Sequence, residues 1–68
     1  MVEFFIDQAL REAIDLHNRN QLDDAKSLYK KIIDHDKKNS DAYHLLSLIN
    51  LVEGKLDEAN ENIVKAID

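Results

Sequence analysis

The chain has 68 residues, a formal charge of −5 at pH 7, a single glycine, and neither cysteine nor proline. That length allows one small domain, at a size where a single core is barely sufficient. The missing thiols exclude disulfides and cysteine-ligated metal sites, the acidity disfavours nucleic acid and anionic membrane surfaces, and a reducing cytoplasm is the expected compartment.

No apolar run approaches the roughly 20 residues needed to cross a bilayer. The opening Met1-Val2-Glu3-Phe4-Phe5 carries no basic leader or cleavage site. Abundant Ala, Leu, Ile, Lys, Glu and Asp with no sustained strand-like alternation predict an all-α chain.

A first helix is expected from about Glu3 to Asn18. Phe5, Ala9, Ala13 and Leu16 recur at three- and four-residue steps as one buried stripe, with Leu10 and Ile14 on a second apolar flank. Gln8, Glu12 and Asp15 fall together on a polar face. The stretch Asn18-Arg19-Asn20-Gln21 breaks the pattern, and Asn20 suits the left-handed residue that ends a helix.

A second helix is expected from Leu22 to His35, with Leu22, Ala25, Tyr29, Ile32 and Ile33 inward and Lys30 and Lys31 opposite. A charged connector over 34–39 follows, and Ser40 reads as the N-cap of a third helix reaching Glu53. That helix carries Ala42, Tyr43, Leu45, Leu46, Leu48, Ile49, Leu51 and Val52 around most of its circumference, which predicts burial on several sides. A fourth, Leu56 to Ile67, places Leu56, Ala59, Ile63, Ala66 and Ile67 inward.

The two halves repeat. A step of 34 residues carries Leu22 onto Leu56, Asp23 onto Asp57, Ala25 onto Ala59 and Lys31 onto Lys65. It also carries Asn20 onto Gly54, so a helix-ending turn is expected at both. A fixed period of this size marks a helical repeat.

The period and the residue sizes along it resemble tandem tetratricopeptide repeats, over about 6–39 and 40–68 within one domain spanning 1–68. Small residues stand where the family brings its helices closest: Ala13 and Ala25, then Ser47 and Ala59. Tyr43 and Tyr29 match its aromatic positions, with Ile63 at the later one, and Leu46, Gly54 and Ala66 match its Leu, Gly and Ala. Ala9, Ile32, Lys37 and Asn50 depart from the pattern. The resemblance implies four helices in two antiparallel hairpins, stacked as a short right-handed solenoid.

Within that frame, the edge that packs on a preceding repeat is Ala42, Leu46 and Ile49 in the second copy but Gln8, Glu12 and Asp15 in the first. Burying those polar groups without partners is costly, so the first copy reads as a polar cap. The far end has no such cap, and Ile63, Val64 and Ile67 are expected to stay partly exposed.

The resemblance also implies an inner surface lined by Leu10, Ile14, His17 and Asn18 and by Asp41, His44, Leu45, Leu48 and Leu51 or Val52. Leu10, Ile14 and Leu45 occupy positions where some family members clamp a peptide carboxylate with Lys, Asn and Arg, so that activity is not expected here. The candidate partner-binding set is Leu10, Ile14, His17, His44, Leu45, Leu48, Leu51, Val52, Ile63 and Ile67.

Nothing points to catalysis. The serines lack a base and carboxylate at a useful spacing, no glycine-rich phosphate loop is present, and the early carboxylate pairs are explained by the helix dipole. His17, His35 and His44 fit no compact ligand pattern, although His17 and His44 could meet across adjacent helices. Lys30, Lys31, Lys37 and Lys38 are interleaved with Asp34 and Asp36 and read as a solvated face.

The expected function is a protein-interaction scaffold without cofactor or metal. It would bind a protein or peptide, self-associate as a homodimer or higher assembly, and engage neither nucleic acid nor membrane. The alternative is an N-terminal targeting or peptide-binding module of a longer bacterial enzyme such as a glycosyltransferase.

Overall fold

The computed structural model describes residues 4–68. It contains four α-helices: α1 (Ile6–Asn18), α2 (Leu22–His35), α3 (Ser40–Val52) and α4 (Leu56–Ile67). No strand occurs among the described residues. No helix among them is long and apolar enough to cross a membrane.

Each helix packs on the next, α1 on α2, α2 on α3 and α3 on α4, with a smaller contact between α1 and α3. The molecule is a flat body of 38 × 28 × 14 Å. Two pairs of helices therefore lie side by side, and among the described residues α4 rests on α3 alone.

The turns inside each pair share one mechanism. Asn20 has φ 63° and Gly54 has φ 77°, both left-handed as their positions predict. After α1 the Asn20 N–H donates to His17 O at 3.0 Å and the Gln21 N–H to Leu16 O at 2.9 Å. After α3 the Gly54 N–H donates to Leu51 O at 3.1 Å and the Lys55 N–H to Asn50 O at 2.8 Å. This paired bonding satisfies carbonyls that a helix end otherwise leaves open. The same step of 34 residues relates every donor and acceptor.

The link between the pairs is held differently. The Lys38 N–H donates to Asp36 Oδ1 at 3.2 Å, and Asn39 Oδ1 accepts from the Ala42 N–H at 2.9 Å. The residue capping α3 is thus Asn39, not Ser40. Asn39 holds the extended backbone of a cap (φ −73°, ψ 95°), and Ser40 already lies in the first turn.

The core is small and continuous. Ala13, Ala25, Tyr29, Ile32, Ala42 and Ile49 have no exposed surface, and Ala9 and Leu46 complete the cluster. Ala42, Leu46 and Ile49 give α3 its buried stripe, while Gln8, Glu12 and Asp15 are exposed on α1. The alanines at 13 and 25 remove side-chain bulk where α1 meets α2, and Ser47 and Ala59 do the same between α3 and α4.

Two other expectations are corrected, for α1 and α4. α1 begins at Ile6, so Phe5 is its extended N-cap and is 56% exposed, outside the stripe; Glu3, the expected start, lies outside the described residues. α3 is covered on several sides, by α2, α4 and a corner of α1, as its spread of apolar residues predicts, while Leu48, Leu51 and Val52 stay exposed. In α4 only Ala59 is buried, and Leu56 and Ile67 face outward at 66% and 80% exposure, since α4 has one neighbour where α2 has two.

Candidate docking face on the third and fourth helices

Eight large apolar residues are exposed among the described ones: Phe5 and Ile14 near α1, and Leu48, Leu51, Val52, Leu56, Val64 and Ile67 on α3 and α4. Single exposed apolar residues need no explanation, but six on one helix pair do.

Helical spacing assembles them. Leu48, Leu51 and Val52 lie at i, i+3 and i+4 on α3, and Leu56, Ile63 and Ile67 at i, i+7 and i+11 on α4. Between the two stripes runs a groove of about 330 Å³, bordered by Leu48, Leu51, Leu56, Ala59, Asn60 and Ile63, with Ser47 at its floor. A second hollow of about 300 Å³ adjoins it through Ile63 and includes His44, Ala66 and Ile67. Asp41 is the one carboxylate lining either hollow.

The pair is held rigid from behind. Asn50, which is almost fully buried, accepts a hydrogen bond from Asn62 Nδ2 on Oδ1 at 2.8 Å and donates through Nδ2 to Glu58 Oε2 at 3.5 Å. Ser47 Oγ donates to the His44 carbonyl. These bonds satisfy the buried polar groups between the helices, leaving the outward face apolar.

The equivalent positions of the first helix pair are more covered, except at Ile14, which is as exposed as Leu48. Moving back 34 residues turns Leu48, Leu51, Leu56, Ala59, Asn60 and Ile63 into Ile14, His17, Leu22, Ala25, Lys26 and Tyr29. There Ala25 and Tyr29 are fully buried and the His17 ring meets Tyr29 edge-on, centroids 6.4 Å apart. Lys26 Nζ donates to both carboxylate oxygens of Glu53 on α3, at 2.9 and 2.8 Å. Among the described residues α3 packs on α2 and α1, and no helix besides α3 packs on α4.

Comparison with protein-family models, with curated proteins and with solved structures returns no match.

Of the expected partner-binding residues, the structure gathers Leu48, Leu51 and Ile63 in the groove and His44, Ile63 and Ile67 in the adjoining hollow. Val52 projects from the end of α3 at 70% exposure. Leu10 and Leu45 are half-buried against the core, Ile14 is exposed on α1, and His17 is engaged with Tyr29. Leu56 and Asn60 belong to the groove and were not among the expected residues. Their register with Leu22 and Lys26 is the sequence signal for them.

Two further features carry charge. Lys37 and Lys38 share a hollow of about 520 Å³ with Lys65 and Tyr43, the Lys65 Nζ lying 5.7 Å from the Tyr43 ring centroid. Asp68 lines the same hollow. His35, beyond the other end of this lysine-rich stretch, stacks on Phe4 with centroids 4.1 Å apart.

Proposed function

We propose that this chain is a tetratricopeptide-like interaction module: two antiparallel helix hairpins stacked as a short right-handed solenoid, docking protein through the face of α3 and α4. Self-association is its first mode, and it acts as a scaffold rather than a catalyst. The observation that carries the reading is the concentration of exposed large apolar side chains on one helix pair, around an uncharged groove.

Support for the repeat architecture comes from the 34-residue step, the matching turns at Asn20 and Gly54, and the small buried residues Ala13, Ala25, Ser47 and Ala59. Covering the α3–α4 face removes apolar surface from water at about 25 cal/mol per Å². The first helix pair gives the same stabilisation within the chain, through α3.

Light scattering on a size-exclusion column across the micromolar range tests the self-association. The wild type is expected to elute with the mass of more than one copy, and Leu48→Glu as a monomer, because the new carboxylate would be buried without a partner. Leu48 is 38% exposed, so the helical circular-dichroism signal of the variant should be retained. A wild-type monomer throughout would overturn the reading.

A further inference from the structure

We infer that the hollow between the α2–α3 connector and the end of α4 binds a small phosphate, as the free ion or a monoester, on Lys37, Lys38 and Lys65. Lys37 and Lys38 lie in the turn between α2 and α3, and Lys65 lies on α4. The fold brings them together around a space of about 520 Å³, with Tyr43 and Ser40 also in its lining. The Lys65 Nζ is 5.7 Å from the centroid of the Tyr43 ring, and attraction to the ring face favours the ammonium at this edge.

Three ammonium groups share this hollow in a chain of net charge −5, and the neighbouring acids do not cancel them. Asp36 stands next to Lys37, yet its carboxylate is turned into the connector. It accepts from the Lys38 N–H at 3.2 Å and meets the Asn39 amide at 3.5 Å. Among the described residues Lys37, Lys38 and Lys65 form no ion pair, whereas Lys26, Lys55 and Arg19 each do. The adjoining hollow gives the contrast: it shares Tyr43 and Lys65, but there Lys30 and Lys65 are set among Asp34, Glu58 and Glu61. In the basic hollow the one carboxylate of the lining is Asp68. Nor does the repeat itself produce the cluster. A step back of 34 residues turns Lys37, Lys38, Ser40 and Tyr43 into Glu3, Phe4, Ile6 and Ala9.

A phosphate dianion matches this set. Each ammonium offers three N–H donors and no acceptor. The ion offers acceptors on every side, which suits point charges on flexible stems rather than a fixed fork. A single exposed ion pair is worth little, so convergence of three cations on one ion is what makes a site. Within a Debye length of about 8 Å at physiological salt, these lysines outweigh the more distant carboxylates. Beyond it the acidic chain opposes an anionic bilayer or a nucleic-acid backbone, which favours a small diffusible ion over a headgroup or a polymer.

Amide chemical shifts, followed while inorganic phosphate is added at constant ionic strength and slightly alkaline pH, test the site. Saturable shifts are expected over 37–43 and 65–68, with a dissociation constant in the millimolar range. Lys38 and Lys65 are exposed and outside the core, so their variants should fold. Lys38→Gln and Lys65→Gln should each weaken binding about fivefold, and Lys65→Arg should keep it. Asp68→Asn should tighten it, and Lys30→Gln, in the adjoining hollow, should leave it unchanged. Vesicles containing phosphatidate form a second arm and are expected not to retain the chain. Shifts that grow without saturating, that spread equally to Lys30 and Lys55, or that survive loss of Lys38 and Lys65 together would overturn the site. Retention on the vesicles would overturn the small ion as its occupant.

Discussion

Lys26 on α2 reaches across to Glu53, at the C-cap of α3, and its Nζ lies 2.9 and 2.8 Å from the two carboxylate oxygens. Both side chains are mostly shielded, at 17% and 22% exposure, and Lys55 approaches the same carboxylate at 3.8 Å. The pair ties α2 of the first helix pair to the end of α3 in the second. Its second-half counterpart, Asn60, has no such latch.

The pair makes stability depend on pH in a definite sense. The hydrogen bond from Lys26 holds the Glu53 carboxyl below the usual glutamate range, and the hydrogen bond to Glu53 raises the Lys26 ammonium above the usual lysine value. Glu53 therefore contributes stability above the ordinary glutamate pKa of about 4.3, lost as pH falls through its lower folded value. The Lys26 contribution is complete below the ordinary lysine pKa of about 10.4, and is lost as pH rises through its higher folded value. Glu53→Gln is expected to melt a few degrees below wild type at neutral pH, with the difference closing at both extremes. Thermal melts across the pH range check this; a difference independent of pH would rule the pair out as its source.

Tyr29 is fully buried, and its hydroxyl has no hydrogen-bond partner among the described residues. Desolvation pushes its pKa upward. An unpaired buried hydroxyl costs about 1–3 kcal/mol, so Tyr29→Phe is expected to stabilise by about 1 kcal/mol, which for a domain of this size raises the melting temperature by roughly 4–8 °C. The ring, by contrast, is indispensable: Tyr29→Ala removes about 3–5 kcal/mol, comparable to the whole stability of a small single core. Urea titrations separate the two. A destabilised Tyr29→Phe protein would mean that the hydroxyl does have a partner.

Gly54 and Asn20 hold equivalent left-handed turns with different chemistry. A Cβ built on Gly54 meets nothing within 4 Å, so the only penalty for Gly54→Ala is the backbone conformation at φ 77°, about 1–2 kcal/mol. Gly54→Asn should cost less, since Asn tolerates this region. Asn20→Gly is expected to be neutral or slightly stabilising, by less than about 1 kcal/mol, as the residual strain at φ 63° is relieved. Chemical denaturation of the three variants gives the order; an Asn20→Gly protein weaker than wild type would show that the Asn side chain contributes more than its backbone does.

These turns mark what was legible in the sequence. Residues that favour a conformation on their own, such as Asn20, Gly54 and the alanines at 13, 25 and 59, give local signals, and the four helix positions followed from them and from apolar spacing. Exposure was less legible because it depends on neighbours. Leu22 and Leu56 share a register, yet Leu22 packs on the core while Leu56 is 66% exposed, because α3 packs on α2 and, among the described residues, no helix besides α3 packs on α4. The sequence reading puts Leu48 and Leu51 on an inner surface and Ile63 at an uncapped end, and the structure sets all three along one groove. Asn60 was not foreseen, since a lone polar residue on a polar stretch carries no signal until the first copy reveals Lys26 in its place.

The start of α3 separates two neighbouring residues by function. Asn39 accepts from the Ala42 N–H at 2.9 Å and also approaches Asp36 Oδ2 through its amide at 3.5 Å, whereas Ser40 is exposed in the first turn. Losing a side-chain cap costs about 1 kcal/mol, within roughly 0.5–2, while an exposed first-turn change stays within about 0.5 kcal/mol. Asn39→Ala is therefore expected to lower the urea midpoint measurably and Ser40→Ala to leave it nearly unchanged. Asn39→Asp keeps the acceptor and adds a negative charge at the positive end of the helix dipole, but sets a second carboxylate beside Asp36, so it should fall between wild type and Asn39→Ala. Because α3 supplies Ala42, Leu46 and Ile49 to the core and borders the α3–α4 groove, loosening its first turn should weaken both. A larger loss from Ser40→Ala than from Asn39→Ala would instead mean that the helix starts one residue later than its hydrogen bonds indicate.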